Sequence, residues 1–466
     1  MTDRDQPKSA FEVYGQVLAA ERIRCDADSL AVWGHDRTTS FQADPAAILF
    51  PETTSEVAAI VRMANASGHA LVPSGGRTGL SGGAVARTGE VVVSLDRMNR
   101  IEKFNPTDRL LTCQAGVITQ VIQETAQEKG LFYPVDFASA GSSHIGGNVA
   151  TNAGGIRVIR YGLTRQWIAG MTVVTGTGDV LRLNHGLIKN ATGYDLRHLF
   201  IGSEGTLGIV TEVDVRLCMQ PEPQRVLVLA VPQLSGLMQI LAAYSARIEL
   251  SAFEFFSDLA MRRVIARGRA VRPFAGDAGD SPLFALLEFD QSAEEEALDI
   301  FEALLATGVV TDGVISRSDA QARALWALRE NISESLAPER PYKNDISVRI
   351  EDVPDFLVSV DRLVSRAYPD FEVCWYGHIG DGNLHLNILK PGNMAEAEFV
   401  AVCHHISPEL FAEVHKRSGS ISAEHGVGLL KRDFLGFSRS PEEVAAMRAI
   451  KAVFDPNGVL NPGKLF

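Results

Sequence analysis

Two histidines, His378 and His385, are spaced so that a β-hairpin would bring them together. The chain between them contains Asp381-Gly382, a residue pair typical of a two-residue type I′ turn. With that turn His378 faces His385, Tyr376 faces Asn387, and opposed Cβ atoms lie about 4.5–5.5 Å apart. Because zinc–imidazole bonds measure about 2.0–2.1 Å, the spacing predicts a shared divalent metal, with Asn387 beside it to orient a bound oxygen.

A third metal ligand is expected from Glu424-His425, which follows the strand-like stretch 419–423. Two histidines and one glutamate leave an open coordination position, as in catalytic zinc sites. Neighbouring residues of a strand point to opposite faces, so only one of the two needs to bind the metal. We assign Glu424 to the metal and His425 to proton transfer. Without a third ligand, two half-buried histidines satisfied by neighbours explain the pattern equally well.

Three glycine-rich stretches precede these residues and must be positioned with them. They span residues 75–83, 136–155 and 202–213. Exposed backbone N–H groups in such loops suit an anion, although structural turns explain a single loop as well. None of the three matches a Walker A loop or a Rossmann fingerprint. Three loops together favour one extended ligand of dinucleotide size, bound in a crevice.

Length, charge and cysteine content exclude several classes of protein. The chain of 466 residues is longer than a single hydrophobic core usually serves, so two or three domains are expected. A net charge of -13 argues against a nucleic-acid or anionic-membrane surface, and no apolar run is long enough for a transmembrane helix. Five scattered cysteines, none in a C-x-x-C pair, suit a reducing compartment and argue against thiolate zinc ligands. A cytoplasmic location is expected.

The order of the motifs resembles a known flavoprotein family along nearly the whole chain. The motifs are residues 73–79, 146–155, 202–209, 377–387, 424–428 and 461–464. In this order they are similar to the FAD-linked D-2-hydroxyacid dehydrogenases of the vanillyl-alcohol-oxidase superfamily. The resemblance implies an α+β protein with a two-subdomain, PCMH-type FAD-binding domain (1–222), a substrate (cap) domain with the metal site (223–430), and a C-terminal helical segment returning to the flavin (431–466).

The resemblance also implies which residues hold the flavin. The loop 74–79 would bind the pyrophosphate, residues 141–152 would line the flavin, Ile209 would lie near the adenine, and Asn461 near the isoalloxazine. FAD is expected to be non-covalent, because residues 74–83 contain no histidine or cysteine. The implied cofactor-binding residues are Ser74, Gly75, Gly76, Arg77, Thr78, Gly79, Gly141, Ser142, Ser143, Gly146, Gly147, Asn148, Thr151, Asn152, Ile209 and Asn461.

Three residues are expected to select the substrate. Arg329 and Ser333, four apart on a helix expected over 319–336, share one face, and Lys343 follows. Judged alone, Arg329 is more often a solvated ion-pair partner of nearby glutamates. In relatives acting on D-2-hydroxyglutarate, matching positions hold the distal carboxylate with Arg, a hydroxyl residue and Lys. The hydroxyl residue in some relatives is threonine, so Ser333 departs from their pattern while keeping the hydroxyl.

The expected activity is therefore oxidation of D-2-hydroxyglutarate to 2-oxoglutarate, with His425 as base, Zn²⁺ or another divalent metal, and hydride transfer to flavin N5. A D-lactate or broader D-2-hydroxyacid dehydrogenase is the alternative enzyme. A non-catalytic flavin or metal sensor is the alternative class. The resemblance implies that electrons pass to an electron-transfer flavoprotein or another carrier. The oligomeric state stays open, with a homodimer considered.

Overall fold

The computed structural model of the protein describes residues 9–38, 40–276 and 280–466. The chain forms two compact units. The first contains residues 1–154, 163–220 and 424–466, and the second contains residues 155–162 and 221–423. Within the described ranges, no helix combines the length and the apolar character needed to cross a membrane.

The first unit contains a small, mostly parallel sheet. In spatial order its strands are β1 (Ile23–Arg24), β2 (Ala47–Leu49), β4 (Val91–Ser94) and β3 (Leu71–Ser74). β2, β4 and β3 are parallel, and β1 joins the edge in the antiparallel sense. All four residues of β4 are buried, as expected for a central strand that is covered on both faces.

A second, antiparallel sheet completes the β structure of this unit. In spatial order its strands are β5 (Ile101–Asn105), β6 (Leu110–Gln114), β10 (Gly208–Arg216), β8 (Ile168–Thr175) and β9 (Val180–Leu183). β7 (Leu131–Phe132) pairs separately with β11 (Cys218–Met219). Val213 of β10 lies between Cys113 and Met171, and all three are buried in the main core of the unit.

The helices of the first unit pack against these sheets. Thr54–Ser67 shows why they form: Thr53 accepts a hydrogen bond from the Glu56 N–H at its start, and Gly68 ends it in a left-handed conformation. The α-helices are Ala10–Tyr14, Ala27–Trp33, Thr54–Ser67, Thr119–Glu128, Ile145–Thr151, Thr164–Trp167, Arg197–Phe200 and Pro441–Phe454, with 3-10 turns at Ala20–Arg22 and Arg432–Phe437.

The last stretch of the chain covers the edge of the first unit's parallel sheet. The backbone N–H of Leu71 donates to the Val459 carbonyl over 2.7 Å, and the N–H of Asn461 donates to the Leu71 carbonyl over 2.7 Å. Asp455 supports this stretch by accepting from the N–H groups of Val459 and Leu460. The C-terminal residues are therefore part of the first unit's own hydrogen-bonding pattern.

The second unit is built on a seven-stranded antiparallel sheet. In spatial order the strands are β15 (Asp312–Ile315), β12 (Gln224–Val231), β14 (Leu283–Asp290), β13 (Leu250–Ser257), β17 (Val373–Gly377), β18 (Asn383–Ile388) and β16 (Tyr342–Ser347). The side chains on one face of β12, β13 and β14 form an apolar core with helical residues such as Leu328 and Ile332.

Helices cover this sheet, and one of them differs from expectation. The single helix expected over 319–336 is interrupted at Asn331, whose side chain donates to the Ala327 carbonyl. The α-helices are Val158–Tyr161, Leu234–Ser245, Asp258–Ala266, Glu294–Ala306, Asp319–Glu330, Ile332–Leu336, Val353–Ala367 and Glu396–Lys416, with 3-10 turns at Gln291–Ala293, Ala337–Glu339, Ile350–Asp352 and Ile379–Asp381.

A short early segment, residues 155–162, belongs to the second unit through two arginines. Arg157 donates to Glu288, a buried carboxylate that also accepts from the Trp326 indole. Arg160 donates to Asp290 at 2.7 Å. Because a buried carboxylate without a partner is costly, the sheet of the second unit depends on this segment.

Candidate active site

The hairpin that carries the two histidines forms, but with a different turn. Tyr376 pairs with His385 and Cys374 pairs with Asn387, so the expected pairings of His378 with His385 and Tyr376 with Asn387 are wrong. The connection is a longer 3-10 turn that Asp381 supports by accepting from the Asn383 N–H. The register is shifted by two residues. Because strand side chains alternate with a period of two, the shift keeps the strand residues Tyr376, His385 and Asn387 on their expected face, while His378 follows the end of β17.

His378 and His385 nevertheless lie against each other. Their ring centres are 5.3 Å apart, their planes are nearly perpendicular, and both residues are buried. Nδ1 of His378 lies 2.7 Å from a carboxylate oxygen of Glu254, and Nδ1 of His385 lies 3.7 Å from a carboxylate oxygen of Asp345. A carboxylate beside one ring nitrogen fixes the orientation of the ring, as outer carboxylates do in most histidine metal sites.

Glu424 directly follows Ala423, the last residue of the second unit. His378 and His385 belong to the second unit, whereas Glu424 and His425 begin the last segment of the first unit. The stretch 419–423 is an irregular segment with one β-bridge rather than the expected strand, so strand alternation does not decide between Glu424 and His425.

One face of the second unit's sheet gathers the polar residues of the site. Across β16 and β18, Lys343 pairs with Asn387 and Asp345 pairs with His385. Directly paired residues share a face, and so do residues two apart on a strand. With Tyr376 opposite His385, this face therefore carries imidazole, amide, carboxylate, amine and phenol groups side by side.

Arg329 and Ser333 join this face from the neighbouring helices. The Lys343 ammonium donates to the Ser333 hydroxyl over 3.1 Å. The Arg329 guanidinium, 6% exposed, lies 4.8 Å from the centre of the Tyr376 ring. Its Nε and Nη2 donors make no hydrogen bond within the described ranges. Two adjacent N–H donors of arginine form a fork that matches a carboxylate, so the arrangement suits an acidic ligand.

Tyr376 connects the imidazoles to the cationic residues. Its ring centre lies 5.0 Å from that of His385, on the sheet face that also holds Asn387. Burial raises the pKa of Tyr376 to about 12, against the opposing effect of the Arg329 charge. The phenol is therefore neutral and able to donate. The side-chain amide of Asn387 is buried and makes no hydrogen bond among the residues that the structure describes.

In the first unit, the first two glycine-rich stretches pack directly against each other. A Cβ atom on Gly76 would lie 2.0 Å from the Ser142 carbonyl oxygen, and one on Gly75 would lie 3.4 Å from His144. A Cβ atom on Gly146 would lie 2.6 Å from Ala115. Glycine is therefore required at Gly76 and Gly146 by close approach.

Three buried polar side-chain atoms lie in or beside residues that are expected to bind FAD. Ser74 Oγ, His144 Nδ1 and Asn461 Oδ1 are buried and make no hydrogen bond within the described part of the chain. Such orphaned atoms are rare in folded proteins and call for a ligand or water. Glycine backbone and unpaired polar atoms fit a bound FAD, so this unit's own residues are compatible with that cofactor.

The other residues expected to bind FAD are distributed along the same unit. Arg77 has a positive φ and donates to Asp96, and Arg77 also lies over the Trp33 ring. Asn148 donates to Thr119, and Asn152 ends the helix that begins at Ile145. Further positions are the loop residues Thr78, Gly79, Gly141 and Ser143, the helical residues Gly147 and Thr151, and Ile209 in β10.

The segment after His425 is held by a buried carboxylate of its own unit. Glu204 accepts from the backbone N–H groups of Val427 and Gly428 over 2.7 and 2.8 Å. The Asn461 amide donates to the Glu204 carbonyl over 2.7 Å. Burial raises the pKa of Glu204, although both backbone hydrogen bonds act in the opposite direction. This carboxylate fixes the backbone two residues beyond the expected base.

Sequence reasoning missed Glu254, Asp345 and Tyr376 as parts of the site. Glu254 lies in the mainly apolar strand β13, Asp345 lies in the mixed strand β16, and each is 1% exposed. A carboxylate within an apolar strand is a usable signal, because buried charges are almost always paired. Their partners could not be read from spacing, since Glu254 contacts His378 from a distant part of the sequence.

Two family models match successive parts of the sequence. A family model described as "FAD binding domain" matches residues 45–184, and one described as "FAD linked oxidases, C-terminal domain" matches residues 220–465. Among solved structures, p-cresol methylhydroxylase with substrate bound has a TM-score of 0.78 at 16% identity, covering 98% of this chain and 96% of that one. At this identity the likeness shows the fold alone, and it confirms the expected PCMH-type fold.

Curated relatives are much closer in sequence. The D-2-hydroxyglutarate dehydrogenase of Stutzerimonas stutzeri is 57% identical over 448 residues, covering 96% of each chain. The enzyme of the same name from Xanthomonas citri pv. viticola is 53% identical and covers 97% of this chain and 95% of its own. The mitochondrial D-2-hydroxyglutarate dehydrogenase of Bos taurus is 37% identical over 95% of this chain and 81% of its own. The chain therefore belongs to the FAD-linked oxidase family, alongside the D-2-hydroxyglutarate dehydrogenases, and is an FAD-dependent dehydrogenase.

Proposed function

We propose that the protein oxidises D-2-hydroxyglutarate to 2-oxoglutarate. The observation that carries the proposal is the single sheet face on which the His385 imidazole, the Asn387 amide and the Lys343 ammonium lie together. A 2-hydroxydicarboxylate needs one group for its hydroxyl end and a cationic group for its distal carboxylate. The relatives of the same name support this choice of substrate.

The distal carboxylate is assigned to Arg329, Ser333 and Lys343. Arg329 offers Nε and Nη2 donors that make no hydrogen bond among the described residues, and the Lys343 ammonium and the Ser333 hydroxyl lie within hydrogen-bond distance of each other. D-lactate has no second carboxylate to meet these groups. The assignment therefore predicts a preference for the dicarboxylate over D-lactate.

At the hydroxyl end, His425 takes the hydroxyl proton and Asn387 orients the C1 carboxylate or the hydroxyl oxygen. A divalent metal such as Zn²⁺, held by His378, His385 and Glu424, would lower the pKa of the substrate hydroxyl as a Lewis acid. FAD supplies the acceptor for the C2 hydride. Transfer of the hydroxyl proton to His425 and of the C2 hydride to FAD converts the secondary alcohol to a ketone.

The route of the electrons beyond FAD and the location are also proposals. An electron-transfer flavoprotein or another carrier is the proposed acceptor, because the sequence contains no Rossmann fingerprint for NAD. No disulfide joins any of the five cysteines, all of which lie in the described ranges, and this is typical of a reducing compartment. We therefore place the enzyme in the cytoplasm.

Anaerobic reduction of the bound flavin by a panel of 2-hydroxyacids tests the proposal. D-2-hydroxyglutarate should bleach the flavin absorbance fastest, D-lactate should act more slowly, and L-2-hydroxyglutarate should have no effect. Dialysis against a chelator should slow the reaction, and added zinc or another divalent metal should restore it. A flavin that stays oxidised with every D-2-hydroxyacid contradicts the proposal, and a faster reaction with D-lactate reassigns the substrate.

A further inference from the structure

Glu254 occupies an unusual position in the second unit's sheet. It lies in β13, among apolar residues, and is 1% exposed. β13 pairs with β17 so that Phe255 is opposite Gly377 and Phe256 is opposite Tyr376. Continuing this antiparallel register by one residue brings Glu254 opposite His378. The carboxylate and the imidazole therefore lie directly beyond the last paired residues of β13 and β17.

The two oxygens of Glu254 contact different ends of the site. One lies 2.7 Å from Nδ1 of His378, and the other lies 2.8 Å from Nε of Arg329. The first contact is a hydrogen bond. The second is an ion pair. It does not count as a hydrogen bond of Arg329 Nε in the described part of the chain, so the Nε–H bond does not point at the oxygen. One carboxylate thus links a metal-binding imidazole to the guanidinium assigned to the distal carboxylate.

We propose that Glu254 is a positioning residue that fixes both ends of the substrate site, an inference that rests on the function proposed above. A carboxylate only accepts hydrogen bonds. Nδ1 of His378 therefore carries the hydrogen, and Nε2 presents its lone pair to a metal. Such carboxylate–histidine pairs orient the ring and raise its basicity.

The contact with Arg329 has a second consequence. Arg329 and Glu254 are both buried, and a buried guanidinium without a counter-charge is costly. With Glu254 present, the charge of Arg329 is balanced before substrate binds, and its fork of donors is held in place. The positive charge that attracts the distal carboxylate then comes from Lys343. Arg329 orients that carboxylate through its hydrogen-bond donors.

The same strand neighbourhood offers a matched control. Glu288 on β14 is also a buried carboxylate, and it accepts from Arg157 and from the Trp326 indole. It contacts neither histidine of the hairpin in the contacts described above. Glu254→Gln and Glu288→Gln therefore remove the same charge from the same sheet, but only the first change affects His378 and Arg329.

The first measurement is equilibrium binding of Zn²⁺ to the purified flavoproteins, without turnover. Loss of an outer carboxylate partner typically weakens metal binding about 10–100-fold, so E254Q should show that loss and E288Q should bind as the wild type does. The second measurement, at saturating Zn²⁺, is kcat/KM. In E254Q the ratio for D-2-hydroxyglutarate over D-lactate should fall about tenfold, because only the longer substrate uses Arg329.

The outcomes separate this inference from the proposed function. If the wild type neither binds a divalent metal nor oxidises D-2-hydroxyglutarate, the proposed function is wrong. If the wild type does both and E254Q, with normal flavin content, matches it in metal affinity and in the substrate ratio, only the role of Glu254 is overturned. Should E254Q not accumulate as a flavoprotein, Glu254→Asp keeps the charge but withdraws it from His378, and wild-type values in E254D overturn the role equally.

Discussion

The carboxylate of Glu204 should be necessary for turnover although it is not expected to touch the substrate. It accepts from the N–H groups of Val427 and Gly428, two and three residues after His425. In Glu204→Gln, one amide oxygen can replace one acceptor, but the amide NH₂ then faces the second N–H. The variant should therefore displace the backbone that carries the expected base.

The size of the effect follows from these contacts. A hydrogen bond to a charged group contributes about 1.5–3 kcal/mol, and the neutral amide of E204Q is easier to bury than the carboxylate. The net loss of stability should be about 1–2 kcal/mol, which lowers the melting temperature of a unit of this size by roughly 5 °C. A misplacement of about 1 Å at a catalytic group costs about 100-fold in rate, so kcat should fall by about that factor.

Glu90 provides the control for this prediction. It is a buried carboxylate of the same unit that also accepts from two backbone N–H groups, those of Arg87 and Thr88. Burial tends to raise the pKa of Glu90, but these hydrogen bonds and the Lys464 charge outweigh it and lower the pKa. Glu90→Gln should cost similar stability and leave kcat within about twofold.

Thermal denaturation followed by flavin fluorescence, and steady-state kinetics with D-2-hydroxyglutarate, measure both quantities in the same preparations. The reasoning is refuted if E204Q and E90Q lose kcat to the same extent. It is also refuted if E204Q retains full kcat at a lowered melting temperature, since the Glu204 contacts would then support the fold alone.

Three further predictions follow from single side chains. Lys343→Ala should lower kcat/KM for D-2-hydroxyglutarate at least tenfold more than for D-lactate, because only the former has a distal carboxylate; equal losses in the two kinetic assays would contradict the assignment. His425→Asn should abolish turnover while flavin absorbance shows normal FAD content, and near-normal kinetics would exclude His425 as the base. Burial lowers the pKa of Lys464 to about 8 from 10.5. The buried charge therefore lowers the free energy of unfolding by about 3 kcal/mol below pH 8, and this loss declines as the pH rises towards 10.5. Lys464→Met should therefore raise the urea-unfolding free energy at pH 7, and this gain should shrink by pH 10; a gain independent of pH would contradict it.

The sequence predicts the participants of the hairpin better than its geometry. Asp381-Gly382 indicated the reversal between the histidines, yet the structure uses a longer turn. A Cβ atom on Gly382 would lie 2.1 Å from the Val348 carbonyl oxygen, so a neighbouring segment constrains the turn. That contact is not visible in local sequence. The shift of two residues preserves the shared face because the period of a strand is also two.

Contacts between distant strands account for what sequence could not predict. Glu254 reaches His378 only because β13 lies beside β17, and Asp345 reaches His385 only because β16 lies beside β18. The order of strands in a sheet is a property of the folded chain, and residue spacing within one motif contains no record of it. The flavin-binding assignments came from the family resemblance, whereas the packing of Gly76 against Ser142 is visible only in the folded structure.

The pairing of Leu71 with Leu460 has a consequence for synthesis on the ribosome. β3 is the edge strand of its sheet, and an uncovered edge is a template for aggregation. Its cover emerges last, whereas residues 221–423 of the second unit are complete earlier. Domains usually fold in the order of translation, but the first unit is built from segments on both sides of residues 221–423, so its edge strand stays uncovered until the segment after residue 423 has been synthesised.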